Sequence, residues 1–144
     1  MLPTSLNLPL TAEWEDSRGA VVVLRPVPVK FRYSVADPFA VVLDFATGAE
    51  QWVRWTFARD LLAEGLADYG DGVGEGDVFL GPDATLPWRV WLTVSSPSGV
   101  AAFAFRRSDL TAALGQTEAL VPPGTESEFI DWNREFAVLG GEAA

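Results

Sequence analysis

The sequence predicts an α+β domain made of two antiparallel β-meander and helix halves followed by a C-terminal helix. Three observations predict it. Runs rich in β-branched and aromatic residues alternate with a period of two through most of the chain. The period turns helical in FARDLLAEGL (57–66) and again in RRSDLTAAL (106–114), each time directly after a strand-like run. Gly and Pro turns separate the runs. At 144 residues the chain has the usual size of one domain, so residues 1–144 are read as a single unit.

LNLPLTAEW (6–14) opens the first half as a strand. AVVVLRPVPV (20–29) is a second, but Pro26 and Pro28 each remove a backbone donor, so that part belongs at an edge or a frayed end. Asp37-Pro38 makes a turn into FAVVLDF (39–45), where Phe39, Val41, Leu43 and Phe45 share one face. EQWVRWTF (50–57) follows a short turn around Thr47-Gly48-Ala49. Opposed residues of an antiparallel pair share a face, so matching the apolar sets puts Phe45 opposite Gln51, Leu43 opposite Val53 and Val41 opposite Trp55. That pairing requires an odd connection with a bulge.

The second half repeats the grammar. WRVWLTVSS (88–96) and VAAFAF (100–105) flank a Pro97-Ser98-Gly99 turn, which sets Val90, Leu92 and Val94 against Phe105, Phe103 and Ala101. Phe57, Arg59, Asp60, Leu61 and Ala63 match Phe105, Arg107, Asp109, Leu110 and Ala112 with one inserted residue, so the two strand-to-helix corners read as two copies. An acidic residue in each first turn complements the helix dipole, and ordinary backbone angles suffice at the join. In VPPGTESEF, Thr125 and Glu128 have the spacing of a capping box, with Phe129, Trp132 and Phe136 as the apolar stripe of a last helix.

Composition removes most chemistry. The chain has no His and no Cys, which excludes thiol nucleophiles, imidazole bases and Cys/His zinc sites. No catalytic residue, metal ligand or cofactor site is predicted, and no enzyme. ADYGDGVGEGD (67–77) is Gly-rich but lacks the Lys-Ser/Thr ending of a P-loop and fits no EF-hand, so it reads as a loop. The acidic residues at 13–16 and 126–135 read as solvated faces, because nothing places a carboxylate pair across a cleft.

The formal charge is −10 and the pI about 4.3, with the ten Lys and Arg residues scattered along the sequence from Arg18 to Arg134. The mean field therefore repels nucleic acid and anionic membranes. A mean hydropathy of +0.16 beside that charge predicts folding, with some apolar surface covered by self-association or by a partner. The chain has no run of the ~20 apolar residues that span a bilayer and no signal-peptide pattern, which predicts a cytoplasmic protein with no transmembrane segment.

Each central hairpin leaves one Trp and one Arg on its less apolar face: Trp52 with Arg54, and Trp91 with Arg89. These residue types are enriched at interface hot spots, so the four are the partner-binding candidates. The competing reading covers that face with other elements and makes the tryptophans ordinary core.

RYSVADPFAV (32–41), TGAE (47–50), FARDLLAEGL (57–66), GDV (76–78), SSPSG (95–99) and VPPGTE (121–126) together resemble the SsgA-like proteins of actinomycetes. The resemblance implies a non-enzymatic protein of sporulation-specific cell division that controls septum formation. An SsgB-type member would recruit the tubulin-like FtsZ to future septum sites, with an SsgA-type partner, which places the protein at the division septum. The fold implied is whirly-like, with two β-sheets and packed helices, and a homo-oligomer such as a trimer. A whirly-type single-stranded nucleic-acid-binding module is the alternative, disfavoured by the acidic charge.

Overall fold

Each half of the molecule is a four-stranded meander that runs into a helix. The computed structural model describes residues 4–17 and 21–132. The first half holds β1 (Ser5–Asp16), β2 (Val23–Ser34), β3 (Asp37–Gly48), β4 (Gln51–Ala58) and α1 (Arg59–Ala67). The second holds β5 (Val73–Glu75), β6 (Val78–Pro82), β7 (Arg89–Ser96), β8 (Gly99–Arg106) and α2 (Arg107–Leu120), followed by a 3-10 turn at Glu126–Phe129. All strands pair antiparallel in the order β4-β3-β2-β1-β8-β7-β6-β5. The two β-sheets implied by the resemblance are thus hydrogen-bonded into one. Their seam is narrow: β1 meets β8 only at Glu13↔Ala104 and Trp14↔Phe103.

Alternation along the strands divides every residue between an inner and an outer face. Val29, Phe31, Val41, Leu43 and Phe45 of the first half point inward, as do Leu80, Val90, Leu92, Phe103 and Phe105 of the second. The inner faces meet, because the Phe45 ring stacks on Phe103 at 4.2 Å and contacts Phe105 edge-on at 6.3 Å. Burial of each such side chain stabilises the fold by about 1.5–3 kcal/mol, and this aromatic contact joins the two halves within one continuous core.

The β7–β8 hairpin has the expected register: Val90↔Phe105, Leu92↔Phe103 and Val94↔Ala101. The β3–β4 hairpin keeps the expected faces but slips by two residues, to Val41↔Phe57, Leu43↔Trp55 and Phe45↔Val53. A register shift between Ala46 and Gly48 and a positive φ of 60° at Glu50 move the tip toward Ala49-Glu50, which accounts for the slip. A second shift, between Arg32 and Ser34, changes the parity at the start of β3. Pro38 is therefore buried and Phe39 exposed, so Phe39 leaves the face it was expected to share. The turn before it lies at residues 35–36, where the Ala36 N–H donates to Ser34 Oγ. Pro26 and Pro28 pair only with β1, since β3 reaches no further than Val29, so they occupy a local edge as expected.

Two strands went unread in the sequence. The Gly-rich segment contains β5, and β5 and β6 form a hairpin whose turn uses Gly76 at φ 61°. Such short strands interrupted by glycine give no periodic signal. The expected capping box is also absent. The Thr125 hydroxyl donates to the Pro122 carbonyl at 2.6 Å, and the element that follows is the 3-10 turn. The continuation of the last helix, with Phe136, lies outside the described residues.

Both strand-to-helix corners have no linker. Ala58 (φ −64°, ψ 136°) and Arg106 (φ −70°, ψ 128°) are ordinary extended residues, and the helix begins at the next position. The halves match at a constant offset of 48, not with the expected insertion. Arg59, Leu62, Gly65 and Leu66 are buried in α1 where Arg107, Leu110, Ala113 and Leu114 are buried in α2. The arginines are exchanged. Arg59 donates to the Val121 carbonyl at 2.7 Å and the Thr117 carbonyl at 3.3 Å, at the C-terminal end of α2. Arg107 donates to the Leu66 carbonyl in the last turn of α1. Each helix therefore begins with an arginine that donates to carbonyls at the end of the other, and the two lie antiparallel across the halves.

Candidate docking surface

The four candidate side chains stand on the outer face of the sheet in two separate groups. Their common face follows from the register. Arg54 opposes Asp44, Asp44 opposes Lys30, Lys30 opposes Pro9, Glu13 opposes Ala104, and Ala104 opposes Trp91. Trp52 and Arg54 lie on the terminal strand β4, whereas Arg89 and Trp91 lie on β7, five strand spacings away in the sheet order. That is roughly 24 Å along the surface at the usual ~4.8 Å per strand. The structure does not bring the four into one site.

The β4 group centres on Asp44. Its carboxylate accepts from Arg54 Nε at 2.8 Å and Nη2 at 3.1 Å, and from Arg32 Nε at 2.7 Å. The hydrogen bond from Arg54, reinforced by Arg32, outweighs burial and holds the carboxyl below the usual carboxylate range. Beside it Lys30 Nζ sits 4.3 Å above the ring of Trp52, which is 43% exposed. The arrangement fixes two guanidinium planes and leaves their outer edges open, with Arg54 60% exposed.

The β7 group centres on Asp83, the first residue of the loop between β6 and β7. Asp83 accepts from the Trp91 indole N–H at 2.6 Å, from Arg89 Nε at 2.9 Å, and from the backbone N–H groups of Thr85 and Leu86 at 3.0 and 2.8 Å. Burial alone would push this carboxyl up. The Trp91, Thr85, Leu86 and Arg89 donors reverse that and hold it far below the usual range. Trp91 and Arg89 are thus tied into a structural network, whereas Trp52 and Arg54 remain open.

Sequence reasoning missed Asp44 and Asp83. For Asp83 a signal exists, since Asp-x-Thr after a proline marks an Asx-type turn. For Asp44 the signal is a charge in an apolar strand, on the same face as the arginines of its neighbours.

The outer face also gathers cations that look scattered in the sequence. Lys30, Arg32, Arg54, Arg89 and Arg106, half of the ten, stand on it. At the seam, where β1 diverges from β8, a cleft of about 680 Å³ is lined by Pro9, Pro26, Trp88, Arg89 and Arg106 together with Glu13 and Asp109, so its charges balance. A second, apolar recess of about 310 Å³ opens between the hairpin ends, among Phe45, Val53, Trp55, Val94 and Phe103. Among the described residues no group of three Asp or Glu side chains is placed to hold a metal ion. No helix among them is long and apolar enough to cross a membrane.

Asp44, Asp83 and Glu126 all have depressed folded-state pKa values; for Glu126 the causes are its own backbone N–H, then that of Gly124 and the Arg59 charge. The unfolded chain therefore takes up protons first as pH falls. The stability these groups supply is complete above their unfolded values of about 4 and drains as pH drops toward the folded ones. Asp83→Asn is expected to cost about 1–3 kcal/mol at pH 7 and progressively less in acid, where the unfolded wild-type chain takes up a proton at Asp83 that the folded protein does not. Melting curves from pH 7 to pH 3 check this, and a gap that stays constant would contradict it.

The sequence profile of the family described as Streptomyces sporulation and cell division protein, SsgA, matches residues 27–126. The chain is 45% identical over 134 residues to the sporulation-specific cell division protein SsgB of Frankia casuarinae, covering 86% of this chain and 92% of that one. It is 43% identical over 119 residues to SsgB of Streptomyces coelicolor, covering 82% and 85%. Among solved structures, an SsgA-like sporulation-specific cell division protein from Thermobifida fusca superposes with a TM-score of 0.80 at 33% identity, covering 93% and 94%. An SsgB structure linked to longitudinal cell division during sporulation of Streptomyces coelicolor superposes with a TM-score of 0.75 at 40% identity, covering 88% and 95%.

Proposed function

The chain belongs to the SsgA family of sporulation and cell division proteins, and from that premise we propose that it is a non-enzymatic adaptor in septum-site control, recruiting FtsZ to division sites in the manner expected of an SsgB-type member. The observation that carries the reading is the match to SsgB relatives along most of both chains. Composition supports the absence of catalysis, because a chain without His or Cys has few groups suited to proton transfer or nucleophilic attack at neutral pH. The outer face supports docking, since an exposed Trp beside oriented guanidiniums is the chemistry of an interface anchor.

The adaptor works as a homo-oligomer, with a trimer as the working assignment, and together with an SsgA-type partner. A linked oligomer gains avidity from several weak contacts on one polymer, and the apolar recess between the hairpin ends is surface that assembly can cover. Recruitment then places the protein at the division septum.

Co-sedimentation tests this reading. The protein is expected to pellet with FtsZ filaments assembled with GTP and to stay in the supernatant without them, with the SsgA-type partner raising the pelleted fraction. No enrichment in the pellet, with or without that partner, would refute FtsZ recruitment.

A further inference from the structure

We propose that the outer face of the first half, around Lys30, Arg32, Arg54 and Trp52, is a docking site for an extended acidic polypeptide segment. The proposal rests on the adaptor reading, because it names the chemistry of one segment that such an adaptor would hold. On a chain of net charge −10, the stretch formed by residues 7–11, 28–32, 42–46 and 52–56 carries on its outer face three cations and one carboxylate, Asp44. A local excess of two positive charges remains, and it is oriented. Asp44 holds Arg54 through Nε and Nη2 and Arg32 through Nε, which pins both planar groups without neutralising the pair. A guanidinium fixed in this way meets a carboxylate with little further loss of side-chain freedom. Lys30 lies over Trp52, which supplies an apolar, half-exposed ring at one end of the charged group.

Shape selects an extended segment. The groups stand side by side on a pleated surface next to β4, the terminal strand of the sheet. A segment lying along β4 presents alternate side chains to one face, so acidic residues two apart reach successive cations while an apolar residue covers Trp52. Charge selects polypeptide over nucleic acid. A polyanion with a charge at every nucleotide runs past the local excess onto the acidic remainder of the surface and is repelled there at close range, whereas a short acidic segment feels chiefly the cations within about 10 Å, because more distant charges are screened. The β7 group differs, because Arg89 is neutralised by Asp83 and the neighbouring cleft contains Glu13 and Asp109.

The test is fluorescence anisotropy of the full chain with three labelled probes of equal length: a peptide repeating Asp-Ser-Asp-Ser-Leu-Ser, which sets aspartate and leucine on one face of an extended segment, the same peptide with lysine for aspartate, and oligo-dT. The aspartate peptide is expected to bind saturably, more weakly as salt rises, and the lysine peptide not to bind. Trp52→Ala and Lys30→Ala are each expected to weaken binding roughly tenfold, while Arg106→Ala, on the other half of the same face, leaves it unchanged. Lys30 and Trp52 have no buried carboxylate to strand, so melting temperatures of these variants should match the wild type. Absence of saturable binding, equal loss in Arg106→Ala, or binding of oligo-dT in preference to the aspartate peptide would each overturn the proposal. FtsZ co-sedimentation without peptide binding would remove this site and keep the adaptor reading; peptide binding without co-sedimentation would do the reverse.

Discussion

Arg59→Ala is expected to destabilise the protein by about 3–5 kcal/mol, the usual cost of breaking a buried charge pair by removing one partner. The side chain is 3% exposed and carries three jobs at once. It supplies the hydrogen bonds to Thr117 and Val121 that finish α2. It stands 3.4 Å from the Glu126 carboxylate and lies 5.3 Å from the Tyr33 ring centroid. Alanine would leave Glu126 buried with only backbone donors and would take from the Val121 carbonyl its Arg59 donor, while the Thr117 carbonyl keeps the Val121 N–H. Urea denaturation measures the loss, and the melting point should fall by roughly 10 °C for a domain of this size. Arg59→Met with Glu126→Gln removes both charges while keeping the volume, and is expected to recover part of the loss. A decrease below about 1 kcal/mol in the alanine variant would mean that the exchanged arginines are ornamental.

Gly65→Ala should destabilise by about 1–3 kcal/mol through overpacking, although helix propensity favours Ala over Gly by about 1 kcal/mol. The reason is the approach of α1 to β6. A Cβ on Gly65 would lie 2.7 Å from Leu80 Cγ and 2.8 Å from Leu80 Cβ, and Leu80 is fully buried, so neither side can yield freely. Gly115 of α2 supplies the contrast, since a Cβ there meets nothing within 4 Å. Gly115→Ala should therefore stabilise by about 0.5–1 kcal/mol. Opposite signs at two helical glycines, read in the same denaturation series, are the expected outcome; equal signs would show that the Gly65 contact relaxes.

These two positions also show what the sequence could and could not reveal. That FARDLLAEGL joins a strand to a helix was legible, because the change of period needs no contact to be seen. That Arg59 serves the far end of α2, and that Gly65 is empty to admit Leu80, was not, because both depend on partners well removed in the chain. The hairpin registers divide the same way. Pro97 and Gly99 mark one turn tightly, and β7–β8 pairs as expected. At Thr47 to Gln51 face matching fixes only the parity, so the register can slip by two. The docking candidates were half legible. Trp52 and Arg54 were readable from alternation, but the part of Asp44 in fixing Arg54 and Arg32 required knowing which strands lie side by side.

The narrow seam between β1 and β8 has a mechanical consequence. A β ladder resists shear and tension through its row of hydrogen bonds, and here the row that joins the two leaves is only two opposed pairs long. Each leaf is stiff along its strands, while the spine between them is compliant. Force pulling the leaves apart is carried instead by side chains, through the Phe45–Phe103 stack, the close seat of Gly65 on Leu80 and the crossed guanidinium clasps, so the union of the two leaves depends on packing more than on a ladder.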